Sequence, residues 1–214
     1  MKFISHRGNW NSNVPQNSRL SFLSSLDKGF GIETDLRDLN GQIVISHDMP
    51  RSTESLMTID DFFELYNSSE IYSQCILALN LKSTGFIKIL KQKINQYQIK
   101  NYFLFDMPGP EHYYITKLNL IAFTRYSEVE TRPIMFDTSE GVWIDSFTDE
   151  NPSLEHASKF LNENKKVCVV SPELHKRSHQ NFWELIKKQK QLTESPNFYL
   201  CTDFPELAKK YFYE

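Results

Sequence analysis

Gly31-Ile32-Glu33-Thr34-Asp35-Leu36 has the character of a short buried β-strand that two carboxylates interrupt. Side chains two apart on a strand point to the same face, so Glu33 and Asp35 project together. Neighbouring carboxylates raise each other's pKa unless they share a cation, and Mg²⁺ and Ca²⁺ prefer such oxygen ligands. A charged strand edge facing solvent is the alternative, but the start of the stretch, Gly31-Ile32, favours an inward-facing metal site.

Strand-like runs of this kind recur along the chain, and most are bounded by Gly, Asn, Pro or Asp. The eight runs cover residues 2–5, 31–36, 75–81, 102–105, 120–124, 141–145, 166–170 and 197–201. Segments with apolar residues at helical spacing lie between them, over residues 17–28, 58–66, 84–97, 110–118, 153–162, 179–191 and 205–212. The connection over residues 125–140 has the weakest helical character, because Pro133 interrupts it.

The alternation of strands and helices predicts a parallel sheet, and eight such units close into a barrel. With 214 residues the chain is near the lower size limit of that fold. We therefore expect an α/β protein built as a small (β/α)8 TIM barrel, with some short or irregular helices, and a single domain over residues 1–214. A doubly wound open sheet is the structural alternative.

The composition excludes several classes of protein. A net charge of −3 gives no basic surface for nucleic acid, and no run of about 18 apolar residues is present that would span a membrane. The three cysteines have no CxxC spacing, which favours free, reduced thiols. Together with an N-terminal apolar stretch too short for a signal peptide, they predict a cytoplasmic protein.

Polar residues follow the predicted strands, where (β/α)8 barrels have their active sites. Asn80-Leu81-Lys82 repeats the spacing of the two carboxylates, so its two polar side chains share a face. Asn80 can give a neutral oxygen to a metal ion, and Lys82 can give positive charge to a phosphate. Taken alone, this pair fits a structural role equally well.

Two histidines stand at comparable positions. The first strand ends in His6-Arg7-Gly8, where Arg7 can bind two phosphate oxygens at once. Asn40-Gly41 predicts a hairpin that projects His47 over the mouth of the barrel. Cleavage of a phosphodiester needs a base, an acid and cations around the phosphorus. Two histidines, a metal ion, Arg7 and Lys82 supply them.

At this point the sequence resembles the glycerophosphodiester phosphodiesterases, which are relatives of phosphatidylinositol-specific phospholipase C. The order and spacing of five segments carry the resemblance: His6-Arg7-Gly8, Pro15-Gln16-Asn17-Ser18, Gly31-Ile32-Glu33-Thr34-Asp35, Asn40-Gly41 and His47-Asp48. Thr202-Asp203-Phe204-Pro205 resembles the closing segment of the family. The resemblance implies a (β/α)8 barrel in which Glu33 and Asp35 bind metal, His6 and His47 act as general base and acid, and Arg7 binds phosphate.

Beyond residue 50 the resemblance is looser. Asn80 occupies a position where the family usually has a glutamate as a further metal ligand. An amide oxygen still coordinates a cation, with one negative charge fewer. We predict that Asn80 completes the metal site and that Lys82 joins Arg7 at the phosphate. The remaining candidates, all near predicted strand ends, are substrate-side residues: Asp106, Arg125, Trp143, Asp145, Glu173 and His175.

The expected function is that of a phosphoric diester hydrolase with one divalent metal ion, Mg²⁺ or Ca²⁺. The expected substrate is a small, soluble glycerophosphodiester-like or sugar or polyol phosphodiester, as in lipid metabolism. Two alternatives stay open: a lyase-like transfer that forms a cyclic phosphate, and a barrel that binds phosphate ligands with little or no turnover. The sequence leaves the oligomeric state open.

Overall fold

The barrel is present in a computed structural model that describes residues 1–148 and 154–214. Over these residues the strands are β1 (Lys2–His6), β2 (Gly31–Leu39), β3 (Gln42–Ile45), β4 (Leu77–Leu81), β5 (Tyr102–Phe105), β6 (Phe123–Tyr126), β7 (Gly141–Ile144), β8 (Lys166–Val170) and β9 (Phe198–Thr202). Their order in the sheet is β5-β4-β2-β1-β9-β8-β7-β6, and all of these neighbours are parallel. The predicted (β/α)8 barrel is confirmed.

The two ends of this order meet at a short seam between β5 and β6. The Leu104 N–H donates to the Ile121 carbonyl at 2.9 Å, and Leu104 lies opposite Ala122 in an isolated parallel bridge. By contrast, β4 and β5 pair at four positions. The barrel is therefore almost closed, and its closure is weakest at this seam.

The predicted hairpin is also present. β3 pairs antiparallel with the end of β2, in a register that sets Leu36 opposite Ile45 and Leu39 opposite Gln42. Asn40 and Gly41, which connect the two strands, both have positive φ, as a tight two-residue turn requires. The hairpin extends β2 beyond the barrel wall and carries the following loop over the mouth.

The helices surround the barrel. Their bounds in the described chain are α1 (Arg19–Asp27), α2 (Ile59–Tyr66), α3 (Ile87–Gln96), α4 (Gly109–Lys117), α5 (Leu154–Asn162), α6 (Gln180–Lys187), α7 (Lys190–Thr193) and α8 (Pro205–Tyr213). Ser153, the predicted first residue of the fifth helix, lies outside the described residues. Short 3-10 helices cover Glu70–Gln74 and Pro172–His175.

Local sequence explains where several helices begin and where one is missing. The Thr58 side chain accepts from the Asp61 N–H, and Asp61 accepts from the Thr58 N–H, so the capping box at α2 is confirmed. The predicted helix over residues 179–191 is divided into α6 and α7 at Lys188 and Gln189. Residues 127–140 contain no helix, in line with the weak pattern around Pro133.

The core has an aromatic centre inside the barrel and apolar layers between sheet and helices. The rings of Phe103 and Phe123 stack at 3.8 Å, and those of Phe105 and Trp143 stack at 3.9 Å. Each of these phenylalanines is almost wholly buried and contributes about 2–3 kcal/mol of apolar burial. This aromatic layer fills the interior beneath the mouth and gives the site above it a rigid floor.

Two further observations complete the fold. Cys75, Cys168 and Cys201 are free and buried, as predicted. In the part of the chain that the structure describes, no helix is long and apolar enough to cross a membrane.

Candidate active site

A cavity of about 360 Å³ opens at the C-terminal ends of the barrel strands. It is lined by His6, Arg7, Glu33, His47, Asn80, Lys82, Phe105, Asp106, Trp143, Asp145, Phe147, Val170, Leu174 and His175. A larger cavity, of about 590 Å³, lies at the opposite end of the barrel, but its lining has no histidine and only one carboxylate, Asp27. Because the acid, base and cationic groups converge at the mouth, we place the candidate active site there.

His6 is held by a carboxylate from the last strand. Its Nδ1 lies 2.8 Å from Asp203 Oδ1, and its Nε2 lies 3.9 Å from Glu33 Oε2. Burial alone would lower the pKa of His6, but the hydrogen bond to Asp203 and the charges of Glu33 and Asp203 outweigh it, so the pKa is raised. An ionised carboxylate can only accept, which puts the proton on Nδ1 and leaves Nε2 as the reactive nitrogen.

His47 has the same arrangement on the hairpin side of the mouth. Its Nδ1 lies 2.8 Å from Asp48 Oδ1, and its carbonyl accepts from Arg37 Nε at 3.0 Å. The hydrogen bond to His47 lowers the pKa of Asp48. With 44% of its side chain exposed, His47 can meet a ligand that enters from solvent. Both histidines thus use Nδ1 to bind a carboxylate and keep Nε2 free for chemistry.

The paired carboxylates of β2 are buried, as the sequence pattern predicted. Asp35 lies 3.2 Å from Arg7 Nε and 3.6 Å from Lys82 Nζ, and it accepts from Asn17 Nδ2 at 3.0 Å. Glu33 has longer contacts: it accepts from the Arg7 N–H at 3.3 Å and from Asn80 Nδ2 at 3.4 Å. Burial and the neighbouring charge of Asp35 raise the pKa of Glu33 to about 7, although the nearby cationic groups lower it.

Asn80 adds an amide to these carboxylates. Its Nδ2 donates to Glu33 Oε1 at 3.4 Å, whereas its buried Oδ1 has no hydrogen-bond partner within the described chain. A buried oxygen without a partner costs about 1–3 kcal/mol unless a ligand satisfies it. Among the described residues no group of three or more His, Cys, Asp or Glu side chains is placed to hold a metal ion. A cation site here therefore depends on the amide oxygen as third donor.

Two basic residues, Arg7 and Lys82, line the cavity beside these acidic groups. Arg7 has a left-handed backbone with φ of 56°, its N–H donates to the Glu33 carbonyl at 2.9 Å, and its Nη1 donates to Gln16 at 3.1 Å. At the next residue, Gly8, a Cβ would lie 2.5–2.8 Å from atoms of Ser21, so the turn needs glycine. Lys82 Nζ lies 3.6 Å from carboxylate oxygens of both Asp35 and Asp106.

The substrate-side predictions divide into two groups. Asp106, Trp143, Asp145 and His175 line the cavity, and His175 Nε2 lies 2.7 Å from Asp145 Oδ1. Arg125 does not line it: its guanidinium lies 2.8 Å from Asp106 Oδ1 and 2.6 Å from Glu130 Oε2. Arg125 therefore forms ion pairs with Asp106 and Glu130 beside the cavity.

Glu173 also lies outside the lining of the cavity. Its carboxylate accepts from the Thr202 hydroxyl and from the Asp203 N–H, the latter at 3.2 Å. The side chain is 8% exposed, and both of its oxygens are turned toward the ends of β8 and β9. Both carboxylate oxygens are therefore occupied by contacts within the protein.

Three contributors were absent from the predicted set of site residues. Asp203 holds His6, Asn17 joins Asp35 to the Thr34 hydroxyl, and Phe147 lines the cavity beside His175. Asp203 and Asn17 belong to segments that resemble the family, and this resemblance could have identified them as site residues. Phe147 has none, because a single aromatic residue in a loop is indistinguishable from a surface residue.

Comparison with known proteins supports the fold. No protein-family model matches the chain, and no curated protein matches it. Three solved structures have the same fold, and each aligns with 98% of this chain. A glycerophosphodiester phosphodiesterase from Agrobacterium tumefaciens str. C58 aligns over 97% of its chain, with a TM-score of 0.69 and 12% identity.

A glycerophosphoryl diester phosphodiesterase from Parabacteroides distasonis ATCC 8503 gives a TM-score of 0.71 at 15% identity, over 85% of its chain. The glycerophosphodiester phosphodiesterase from Thermotoga maritima gives 0.62 at 15% identity, over 97% of its chain. At such low identities the similarity shows a shared fold. The resemblance that residues 1–50 carry is thus confirmed at the level of the fold.

Proposed function

We propose that this protein is a metal-dependent phosphodiester hydrolase that uses His6 and His47 as its acid–base pair. The observation that carries the proposal is their convergence on one cavity, each with Nδ1 bound by a carboxylate. Arg7 and Lys82 line the same cavity and provide positive charge for a phosphate. The three solved structures of the same fold, which are named as phosphodiesterases of this type, support the assignment.

The residues present also fit one divalent cation. Glu33, Asp35 and Asn80 would hold it, because they bring two buried carboxylates and an amide oxygen without a partner to one place. Hard oxygen donors of this kind suit Mg²⁺ or Ca²⁺. When bound, such an ion stabilises the negative charge that develops on the phosphoryl oxygens.

The histidines move the protons of the reaction. His6 Nε2 accepts a proton from the attacking water as the water oxygen bonds to phosphorus, and the hydrogen bond between Nδ1 and Asp203 stabilises the charge that the ring then carries. His47, in its protonated form, gives a proton to the leaving oxygen as the phosphorus–oxygen bond breaks. The products are a phosphomonoester and an alcohol. Arg7 and Lys82 hold the phosphate so that water and leaving group lie in line.

The remaining part of the cavity would hold the alcohol arm of the substrate. Trp143 and Phe147 offer an apolar surface, while Asp106 and the pair Asp145–His175 offer hydrogen bonds. That combination suits a small polyol, glycerol or sugar group, which has hydroxyls on a carbon frame. We therefore propose a small glycerophosphodiester or polyol phosphodiester as substrate. A role in lipid metabolism belongs to the same proposal. So does a cytoplasmic location, which the three free, buried cysteines support.

The test is a panel of glycerophosphodiesters with glycerol, inositol or ethanolamine as second alcohol, each assayed with Mg²⁺, Mn²⁺, Ca²⁺ or EDTA. We expect release of a phosphomonoester that needs a divalent ion and disappears in His47→Ala. Phosphorus NMR of the products separates direct hydrolysis from a transfer that forms a cyclic phosphate. No cleavage under any condition, with a ligand-dependent rise in melting temperature, would instead identify a phosphate-binding barrel.

A further inference from the structure

Glu173 joins the ends of two neighbouring strands. Its Oε1 accepts from the Thr202 hydroxyl and from the Asp203 N–H at 3.2 Å, both at the end of β9. Its Oε2 accepts from the Ser171 hydroxyl at the end of β8 and lies 4.0 Å from His179 Nδ1. Both carboxylate oxygens are thus occupied within the protein, and the side chain does not line the cavity.

The segment that Glu173 holds is the one that orients His6. The Asp203 backbone N–H donates to Glu173 Oε1, and the Asp203 carboxylate lies 2.8 Å from His6 Nδ1. The two hydroxyl groups that donate to Glu173, those of Ser171 and Thr202, are themselves held by further hydrogen bonds. Trp183 Nε1 donates to the Ser171 hydroxyl at 2.8 Å, and the Phe204 N–H donates to the Thr202 hydroxyl at 3.0 Å.

We propose that Glu173 is a positioning residue for His6, acting through Asp203, and not a ligand of the substrate. Because the side chain is only 8% exposed, water has little access, and removal of the carboxylate leaves the Asp203 N–H and the Thr202 hydroxyl without acceptors. The end of β9 then relaxes, and the carboxylate of Asp203 no longer fixes the plane of the His6 ring. Displacement of a catalytic group by about 1 Å can reduce turnover about a hundredfold.

The kinetic test compares Glu173→Ala with Glu173→Gln, and this part rests on the proposed hydrolase activity. For Glu173→Ala we expect kcat to fall on the order of ten- to a hundredfold with KM nearly unchanged. Glu173→Gln keeps an acceptor oxygen for the Asp203 N–H and should retain kcat within about threefold. A substrate ligand would behave differently: both variants would raise KM, and that result overturns the proposal.

A matched control is available at the start of α2. Asp61 accepts from the Thr58 N–H at 2.9 Å and from the Thr58 hydroxyl at 2.6 Å, the same two kinds of contact that Glu173 makes. Asp61 lies outside the lining of the cavity. Asp61→Ala should lower the melting temperature and leave kcat and KM unchanged. Equal kinetic effects of Asp61→Ala and Glu173→Ala would reduce the role of Glu173 to general stability and overturn the proposal.

A spectroscopic test is independent of turnover. The Nδ1 proton of His6, shared with Asp203, should give a resolved, slowly exchanging signal in the proton NMR spectrum of the unliganded wild-type protein. We expect that signal to persist in Glu173→Gln and to shift or broaden beyond detection in Glu173→Ala. Thr202→Val, which removes one hydrogen-bond donor to the Glu173 carboxylate, provides a milder perturbation if Glu173→Ala does not fold. An unchanged signal in the alanine or valine variant overturns the proposal, even if no phosphodiester is cleaved.

Discussion

Replacing Asn80 by aspartate tests whether the floor of the cavity is built for a cation. The substitution keeps the shape of the side chain and places a third carboxylate beside Glu33 and Asp35. Asn80 Nδ2 lies 3.4 Å from Glu33 Oε1, so the new oxygen faces that carboxylate at a similar distance. The hydrogen bond between the two side chains becomes a repulsion between like charges.

The magnitude follows from that separation. With an effective dielectric constant of about 20, two unit charges about 3.4 Å apart repel by about 5 kcal/mol. Protonation limits the loss, because Glu33, whose pKa is raised to about 7, is mostly ionised at pH 8 but costs only about 1.4 kcal/mol to protonate there. A protonated Glu33 no longer repels the new carboxylate. We therefore expect Asn80→Asp to lose about 1–2 kcal/mol of unfolding free energy without metal.

Thermal unfolding at pH 8 measures the effect. A loss of about 1–2 kcal/mol corresponds to a melting temperature lower by about 2–8 °C for a chain of this size. Mg²⁺ or Ca²⁺ should restore much of this loss, since a ligand at 100 times its Kd stabilises by about 2.7 kcal/mol. Asn197→Asp, at an exposed turn beyond the other end of the barrel, is the matched control and should change little. If Asn80→Asp melts like wild type and gains nothing from either ion, the three side chains do not share a cation.

Four further outcomes are expected. His47→Ala should reduce turnover about 10²- to 10⁴-fold while the melting temperature stays close to that of wild type, because the side chain is half exposed; comparable activity would remove the acid–base role. Glu33→Gln should raise the metal concentration needed for half-maximal activity, and an unchanged metal titration would place Glu33 outside the site. Gly141→Ala should lose about 1–3 kcal/mol in denaturant unfolding, because its Cβ would lie 2.5 Å from the Lys166 carbonyl; full stability would contradict that packing. Burial, and then Arg125, lower the pKa of His112, so the unfolded chain binds its proton more readily, and wild-type stability should fall as the pH drops below about 6.5. His112→Gln should flatten that dependence, and an unchanged slope would show that another group causes it.

The barrel was predictable because its strands are local features. Short runs such as residues 102–105 and 166–170 are apolar, bounded by turn formers, and match the observed strands residue for residue. The Asn40-Gly41 turn determined the hairpin in the same local way. The division of residues 179–191 into α6 and α7 was missed, because the apolar spacing runs through Lys188 and Gln189 without interruption.

The site was predictable where its residues share one strand. Glu33 and Asp35 lie two apart on β2, so strand geometry alone brings them together. Asp203 and His6 are 197 residues apart, and only closure of the barrel makes them neighbours. Glu173 shows the limit of a local pattern. Its place at a strand end suggested a substrate contact, but the direction of a side chain in a 3-10 turn depends on packing against β9, which no local pattern contains.

The short seam between β5 and β6 divides the chain into two halves that differ in what they contribute. The two histidines of the proposed acid–base pair and the three proposed oxygen donors lie before it, whereas Trp143, Asp145 and His175 lie after it. Each half is a run of parallel strands with its own helices, and the fewest main-chain hydrogen bonds join them at this point. Under the proposed function, the second half can acquire substitutions that suit a different alcohol without disturbing the first. The architecture thus allows reaction chemistry and substrate choice to evolve separately, provided that contacts between the halves, such as the His6–Asp203 and Asp106–Arg125 pairs, are preserved.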